Sequence, residues 1–349
     1  MEYDVIAVGS GSTGEHPMNE RAVWFSAPRT AELRPAEAPA PGPHQIQVRS
    51  LCSAISAGSE MNLYRGEGDL PGLSAFPTSE GHLPFPVKFG YQEVGVVEAV
   101  GSHVDYEVGE HVFCFHPHQT RFTLDSSLVW RIPPGFDPKR AAFVGLFGVA
   151  LNACITTPPL TGDCVVVSGL GVIGTFAAYL ARQTARRLIL IEPSITRRDR
   201  SSWIGADAVV APEDAAEAVA ELFEGRGADL SIEASGAPPA LQKAIELTGT
   251  EGTITVASWY GTRPVPLALS QEFHLRRQRI VSTGPTVPAH LSPRWDRTRM
   301  RAVSFDHLDR IDVDSHIITH RVPFADAPLA YQLLDVSASE ALGVLLEHA

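Results

Sequence analysis

The chain has 349 residues, enough for two domains with a core each, and carries a formal net charge of −12. That charge argues against a nucleic-acid partner and for a small-molecule one. The four cysteines, Cys52, Cys114, Cys154 and Cys164, lack paired spacing, which fits reduced thiols in a cytoplasmic protein better than a disulfide framework. No basic stretch followed by an apolar core opens the chain, so no signal peptide is expected.

Residues 1–17 hold a glycine cluster, Val8 to Gly14, after Tyr3-Asp4-Val5-Ile6. Glu15-His16-Pro17 follows it in place of an amphipathic helix, so this stretch reads as a leader or tag-like segment with no site. Residues 20–150 read as short strands between Gly and Pro turns, among them Gln45–Arg49, Val94–Val100 and Glu110–Phe115. That pattern predicts a partly closed β-barrel. Helical spacing begins near 139, with Ala141–Cys154 as connector. Strands and helices then alternate: 164–168, 172–185, 188–192, 197–204, 208–210, 213–224, 229–232, 238–247 and 253–256, with Arg279–Ser282 as the last strand. The rhythm predicts a doubly wound parallel sheet. The tail from about 290, ending in Ala341–Leu346, is expected to return to the barrel. The fold class is therefore α/β, with a barrel domain from 18–150 and 290–349 and a nucleotide-binding domain from 151–289.

The strongest motif is Val165-Val166-Val167-Ser168-Gly169-Leu170-Gly171-Val172-Ile173-Gly174, a β-branched run feeding a GxGxxG that opens a helix. The first glycine allows the tight turn, the second lets backbone approach a pyrophosphate, and the third lets helix pack on strand. The helix's first amides then face the phosphate charge. Glu192, eighteen residues past Gly174, ends the second strand where a carboxylate accepts ribose hydroxyls, which favours NAD. Arg197 and Arg198, with Ser194 and Thr196, offer a phosphate clamp, so NADP is the alternative. The apolar run Cys164–Ala181 approaches membrane-span length, but three glycines and Ser168 break it and no membrane partner is expected.

A barrel, a nucleotide fold and a C-terminal return resemble the medium-chain dehydrogenase/reductase superfamily, whose first domain is GroES-like and whose second is a Rossmann fold. Besides the glycine loop, the resemblance rests on Gly90-Tyr91-Gln92-Glu93-Val94-Gly95, Val108–Val112, Ile232-Glu233-Ala234-Ser235-Gly236 and Ile318–Phe324. It runs from about Arg21 to His348. Zinc-dependent members use a cysteine, a Gly-His-Glu histidine and a later Cys or Glu. By the resemblance these positions read Ser56, Tyr91 and a residue near Gly145, so no metal site is expected. The four-cysteine structural zinc lobe is missing too. Ser53–Glu60 and Gly90-Tyr91 are similar to the branch that includes bacteriochlorophyllide a dehydrogenase and dehydrogenases of sugars and secondary metabolites.

The resemblance implies a zinc-independent, NAD(P)-dependent oxidoreductase acting on a secondary alcohol or ketone. An enone or quinone reductase, and a nucleotide-binding protein without catalysis, are the alternatives. Without zinc, side chains must hydrogen-bond the oxygen that gains charge. Tyr91 is a candidate proton donor or a phenol filling the former metal position, and Ser56 a substrate contact or a buried serine. Lys88 lowers the phenol pKa if its ammonium points inward. His116, with Cys114 and His118, is a candidate proton relay or substrate contact, a metal ligand set short of a fourth ligand, or a plain loop, and Glu60 is a structural acid or a base. The resemblance brings Ser235, Ser258, Trp259 and Tyr260, with Ser282-Thr283, toward the cofactor, and implies a homodimer paired near Arg279–Ser282. The basic group His274, Arg276, Arg277, Arg279, Arg294, Arg297, Arg299 and Arg301 is a solvated or subunit face, or binds an acidic substrate.

Overall fold

The computed structural model describes residues 20–68, 78–284 and 286–348; the segment 1–17 lies outside them. The first strands are β1 (Arg21–Ala27), β2 (Thr30–Pro35) and β3 (Gln45–Ile55). In β3 the alternation of Gln45, Gln47 and Arg49 with buried Ile46 and Val48 turns one face inward. Helix α1 (Ser59–Arg65) follows, then β4 (Glu80–Gly81), β5 (Val87–Lys88), β6 (Glu93–Val100), β7 (His111–Cys114), β8 (Arg121–Asp125) and β9 (Val129–Arg131). Helices α2 (Pro138–Ala141) and α3 (Val144–Thr156) lead into the second half.

There β10 (Cys164–Ser168), α4 (Val172–Arg182), β11 (Arg187–Ile191), α5 (Ile195–Arg200), β12 (Ala208–Val210), α6 (Ala215–Leu222), β13 (Ala228–Glu233), α7 (Pro238–Leu247) and β14 (Thr248–Val256) alternate. Then come α8 (Glu272–Leu275), β15 (Arg279–Ser282), α9 (Arg297–Leu308), α10 (Val313–His316), β16 (Ile318–Pro323), α11 (Ala327–Val336) and β17 (Gly343–Glu347).

The six-stranded sheet runs β12-β11-β10-β13-β14-β15, with parallel pairing throughout. Covered on both faces, β10 is buried along its whole length and reads as a β-branched run without alternation. Each of Val165, Val166 and Val167 contributes about 1.5–3 kcal/mol by burial. Strand order reverses between β10 and β13, and that switch point is where open α/β sheets bind ligands. The glycine loop leaves β10 there. Among the described residues β15 is an edge strand of this sheet.

The other large sheet runs β16-β17-β3-β6-β7-β9, so the C-terminal return completes the N-terminal sheet, β17 pairing antiparallel with β3. A smaller sheet, β2-β1-β5-β4, flanks it. One core cluster spans both halves, joining Cys52, Val94 and Phe113 to Phe143, Phe147, Val165 and Phe176. Several expectations change in extent, and the strand expected over Gln45–Arg49 runs on to Ile55 as β3. Strand β14 begins at Thr248 and not at Thr253, because a bulge over Gly249–Gly252 shifts its register against β13 and hides the period. Helix α4 ends at Arg182, three residues early. Among the described residues no helix is long and apolar enough to cross a membrane.

Candidate active site

Gly169 has φ +88°, and a Cβ there would fall 2.5 Å from the Ser235 Cα. At Gly174 a Cβ would lie 1.8 Å from the Gly169 carbonyl oxygen, so helix and turn touch through backbone alone. Gly171 is different: a Cβ would meet no atom of the described residues within 4 Å. It is the N-cap of α4, whose first amides receive no side-chain cap. Val172 is buried and Ile173 half-buried in the first turn of that helix. Two glycines are thus required by packing within the chain, and the middle one faces open space at the positive end of a helix.

Glu192 is buried at the end of β11, where its carboxylate accepts from Leu170 N–H at 2.7 Å and Ser194 N–H at 3.0 Å. It therefore braces the glycine loop directly. Arg197 lies 4.0 Å from this carboxylate, and its guanidinium donates to the carbonyls of Ala338 and Ala341, the latter at 2.6 Å. Arg198 donates to the carbonyls of Glu192 and Pro193. Both forks are engaged by main chain. In place of the clamp offered by the sequence, Arg197 ties α5 to the C-terminal segment and Arg198 closes back on the turn after β11.

Glu233, quoted in the sequence only as part of a motif, organises the far side. Fully buried at the end of β13, it accepts from Ser235 N–H at 2.7 Å, Ser235 Oγ at 2.5 Å and Tyr260 Oη at 2.5 Å. Burial, then the Glu233 charge, pushes the Tyr260 phenol up from its ordinary value. Ser258 Oγ accepts from Gly236 N–H at 2.8 Å. The Trp259 carbonyl accepts from Asn62 Nδ2 at 2.9 Å, which ties this loop to α1, three residues beyond Ser56.

On the barrel side, Tyr91 Oη donates to Ser56 Oγ at 2.5 Å. Burial, then the charge of Glu60, pushes the Tyr91 phenol up to about 12. Lys88 does not assist it: its ammonium pairs with Glu80 and donates to Gln119 Oε1 at 3.1 Å, on the β1–β5 side of the barrel. The phenol moves up, opposite to the shift expected from an inward Lys88.

His116 takes no hydrogen bond from this pair. Its ring stacks on Phe122 with centroids 3.8 Å apart, Nδ1 lies 2.8 Å from the Pro117 carbonyl, and burial lowers its pKa to about 3. His118 is instead the histidine linked to Ser56 through one residue. Glu60 accepts from Ser56 N–H at 2.9 Å, Tyr331 Oη at 2.6 Å and His118 Nε2 at 3.1 Å. His118 Nδ1 lies 3.7 Å from Glu93, and His348 Nε2 lies 3.4 Å from Glu93. Burial lowers the His118 pKa, but Glu60 and Glu93 together overcome it and raise it to about 9. Proline 117 separates the two histidines into different surroundings, so Cys114, His116 and His118 form no common ligand set; Cys114 Sγ faces the Glu93 carbonyl at 3.9 Å. Among the described residues no group of three or more His, Cys, Asp or Glu could hold a metal ion.

Glu93, His118, Tyr331 and His348 carry no sequence signal for this network. Its links span up to 271 residues, from Glu60 to Tyr331. The basic group is not one patch either. Arg276 donates to the carbonyls of Glu246 and Thr248, Arg277 pairs with Glu251, Arg299 lies over Trp295 and Arg301 over Trp130 at 3.9 Å.

A glycine-loop sheet joined to a barrel that its own C-terminus completes defines the class, a two-domain dehydrogenase fold of the alcohol dehydrogenase type. A family model described as zinc-binding dehydrogenase matches residues 172–294. The chain is 25% identical over 264 residues to the L-threonine 3-dehydrogenase of Pyrococcus horikoshii, covering 66% of this chain and 73% of that protein. It is 26% identical over 330 residues to the D-guloside 3-dehydrogenase of Escherichia coli, covering 88% and 93%. An alcohol dehydrogenase of E. coli, complexed with NADH, superposes with a TM-score of 0.76 at 20% identity, covering 94% and 99%. The family model and these relatives are all dehydrogenases, which supports an oxidoreductase.

Proposed function

We propose that the protein is a zinc-independent dehydrogenase that uses NAD to interconvert a secondary alcohol and ketone in a sugar, cyclitol or secondary-metabolite intermediate. The observation that carries this reading is the Tyr91–Ser56 hydroxyl pair at 2.5 Å. A nicotinamide dinucleotide fits the chain's own geometry: Gly171 is open at an uncapped helix N-terminus, and buried Glu192 stands beside it. When bound, that cofactor accepts or supplies the hydride. In either direction the substrate oxygen carries most charge in the transition state. With its pKa near 12, Tyr91 keeps its proton at neutral pH and donates to Ser56, whose own hydroxyl proton is then directed to that oxygen.

Zinc does not fit the donors gathered here. The Tyr91–Ser56 pair offers a phenol and a hydroxyl, and a carboxamide, that of Gln92, lies against Gly145; none is the thiolate, imidazole or carboxylate that a catalytic zinc takes. Glu60 is spent on Ser56, Tyr331 and His118. The engagement of Arg197 and Arg198 by carbonyls favours NAD over NADP. The same reading includes the domain division 18–150 with 290–349 against 151–289, a homodimer joined along β15, and a cytoplasmic location.

Fluorescence titration of the metal-stripped protein with NADH and NADPH, beside metal analysis of the untreated protein, tests the proposal. Tight NADH binding without stoichiometric zinc is the expected result. Stoichiometric zinc, or binding of neither nucleotide, overturns it.

A further inference from the structure

Gln92 is fully buried, yet neither its Nε2 nor its Oε1 has a hydrogen-bond partner among the described residues. Its backbone carbonyl accepts from Ala54 N–H at 3.1 Å, while both ends of the carboxamide are left over. Leaving both ends of a buried amide unpaired is costly, and such groups call for an explanation. The carboxamide lies against Gly145, in the first turn of α3, where a Cβ would fall 2.6 Å from both Nε2 and Oε1. That turn has no side-chain cap. The same Cβ would fall 2.9 Å from the ring of Phe115. Phe115 is 41% exposed and also faces Tyr91, with ring centroids 6.4 Å apart. Carboxamide and phenol therefore border one ring that opens to solvent.

We propose that Gln92 is a substrate-binding residue that selects alcohols bearing a second hydroxyl beside the reacting carbon. The inference rests on the dehydrogenase reading and goes further, to substrate class. A hydroxyl both donates and accepts, so one neighbouring hydroxyl pairs with Oε1 and Nε2 together; a carboxylate or a ketone satisfies only Nε2. Tyr91 and Ser56 serve the reacting oxygen, and Gln92 serves the adjacent one. A site built to hydrogen-bond a hydroxyl discriminates strongly against the analogue lacking it, because its own polar atoms are then stranded.

The test compares trans-cyclohexane-1,2-diol with cyclohexanol, using NAD, in the wild-type protein and in Gln92→Leu and Gln92→Met. Wild type is expected to prefer the diol in kcat/KM, and each variant to reduce the diol-to-monool ratio by roughly 10- to 100-fold. Thermal unfolding in the presence of NADH supplies a readout that needs no turnover. The diol is expected to raise the wild-type Tm more than cyclohexanol does. Both variants, having lost a stranded amide, are expected to melt at or above wild type without ligand and to lose the diol's advantage. A wild type indifferent to the second hydroxyl in both measurements, variants that keep the preference, or variants that both melt lower overturn the inference. Absence of NADH binding by wild type overturns the dehydrogenase reading itself, which separates the two failures.

Discussion

The glycine loop and the Tyr91 site lie in one core, but they are written into the chain in opposite ways. The loop is mostly local: Gly169, Gly171, Gly174 and Glu192 fall within one strand–helix–strand, though Ser235 comes against Gly169 from beyond β13. The barrel site is assembled from a distance, Glu60 alone receiving hydrogen bonds from Ser56, His118 and Tyr331. A local site survives changes elsewhere in the fold. A dispersed one depends on every element that feeds it, and substitutions should fail differently in the two.

The sharpest separation comes from Tyr91→Phe. It should lower kcat by about 10²–10⁴-fold while leaving the NADH dissociation constant within a few-fold of wild type. Stopped-flow turnover beside the fluorescence titration checks it, and a parallel loss of NADH binding would mean the two regions are not independent. Glu60→Ala is next. It strands His118 in a buried site and should cost about 3–5 kcal/mol in urea unfolding, far more than its distance from the loop suggests. In the loop, Gly174→Ala should cost about 1–3 kcal/mol by overpacking against the Gly169 carbonyl, and should weaken NADH binding as well. Gly171→Ala meets no protein atom, so it should leave the Tm unchanged and weaken NADH alone.

The smallest effect lies in pH, where two histidines two residues apart should pull in opposite directions. His118 has its pKa raised to about 9 from 6.5, so between those values the folded chain holds a proton that the unfolded chain has released. Its contribution is fully present below pH 6.5 and is lost as pH rises through 9. His116 and His348 are lowered to about 3, so their neutral forms cost stability as pH falls from 6.5 toward 3. Tm against pH for His118→Gln and His116→Gln checks this: the first should flatten the alkaline fall and the second the acid fall. Equal effects on both limbs would show that the network titrates as one body.

The same contrast explains what could be read from the chain. Strand β10, its glycines and Glu192 were legible because period, spacing and turn chemistry all act within thirty residues. Tyr91 and Ser56 were legible only as positions matched to a family, and their contact depends on the barrel closing. The sequence points to His116 and not to His118 because it does not say which side of Pro117 each ring takes. Packing decides that, with Phe122 for one and Glu60 for the other. The partners of Lys88 are hidden for a similar reason, since Glu80 and Gln119 come within its reach only once β5 pairs with β1 and β4. Glu233 lay in plain view, a charged residue ending an otherwise buried strand, and that mismatch was the available signal.

Strand β17 sits between β16 and β3, and its place has a consequence for how the molecule is made. During synthesis the β3 edge is complete about 290 residues before its partner emerges. At 5–20 residues per second that edge waits roughly 15–60 s with unsatisfied amides and carbonyls, a template for strands of other chains. The parallel sheet draws all its strands from the span between β10 and β15 and can form meanwhile. The nascent chain can therefore complete its nucleotide sheet before its barrel is closed, and the interval between the two is when the β3 edge is open to other strands.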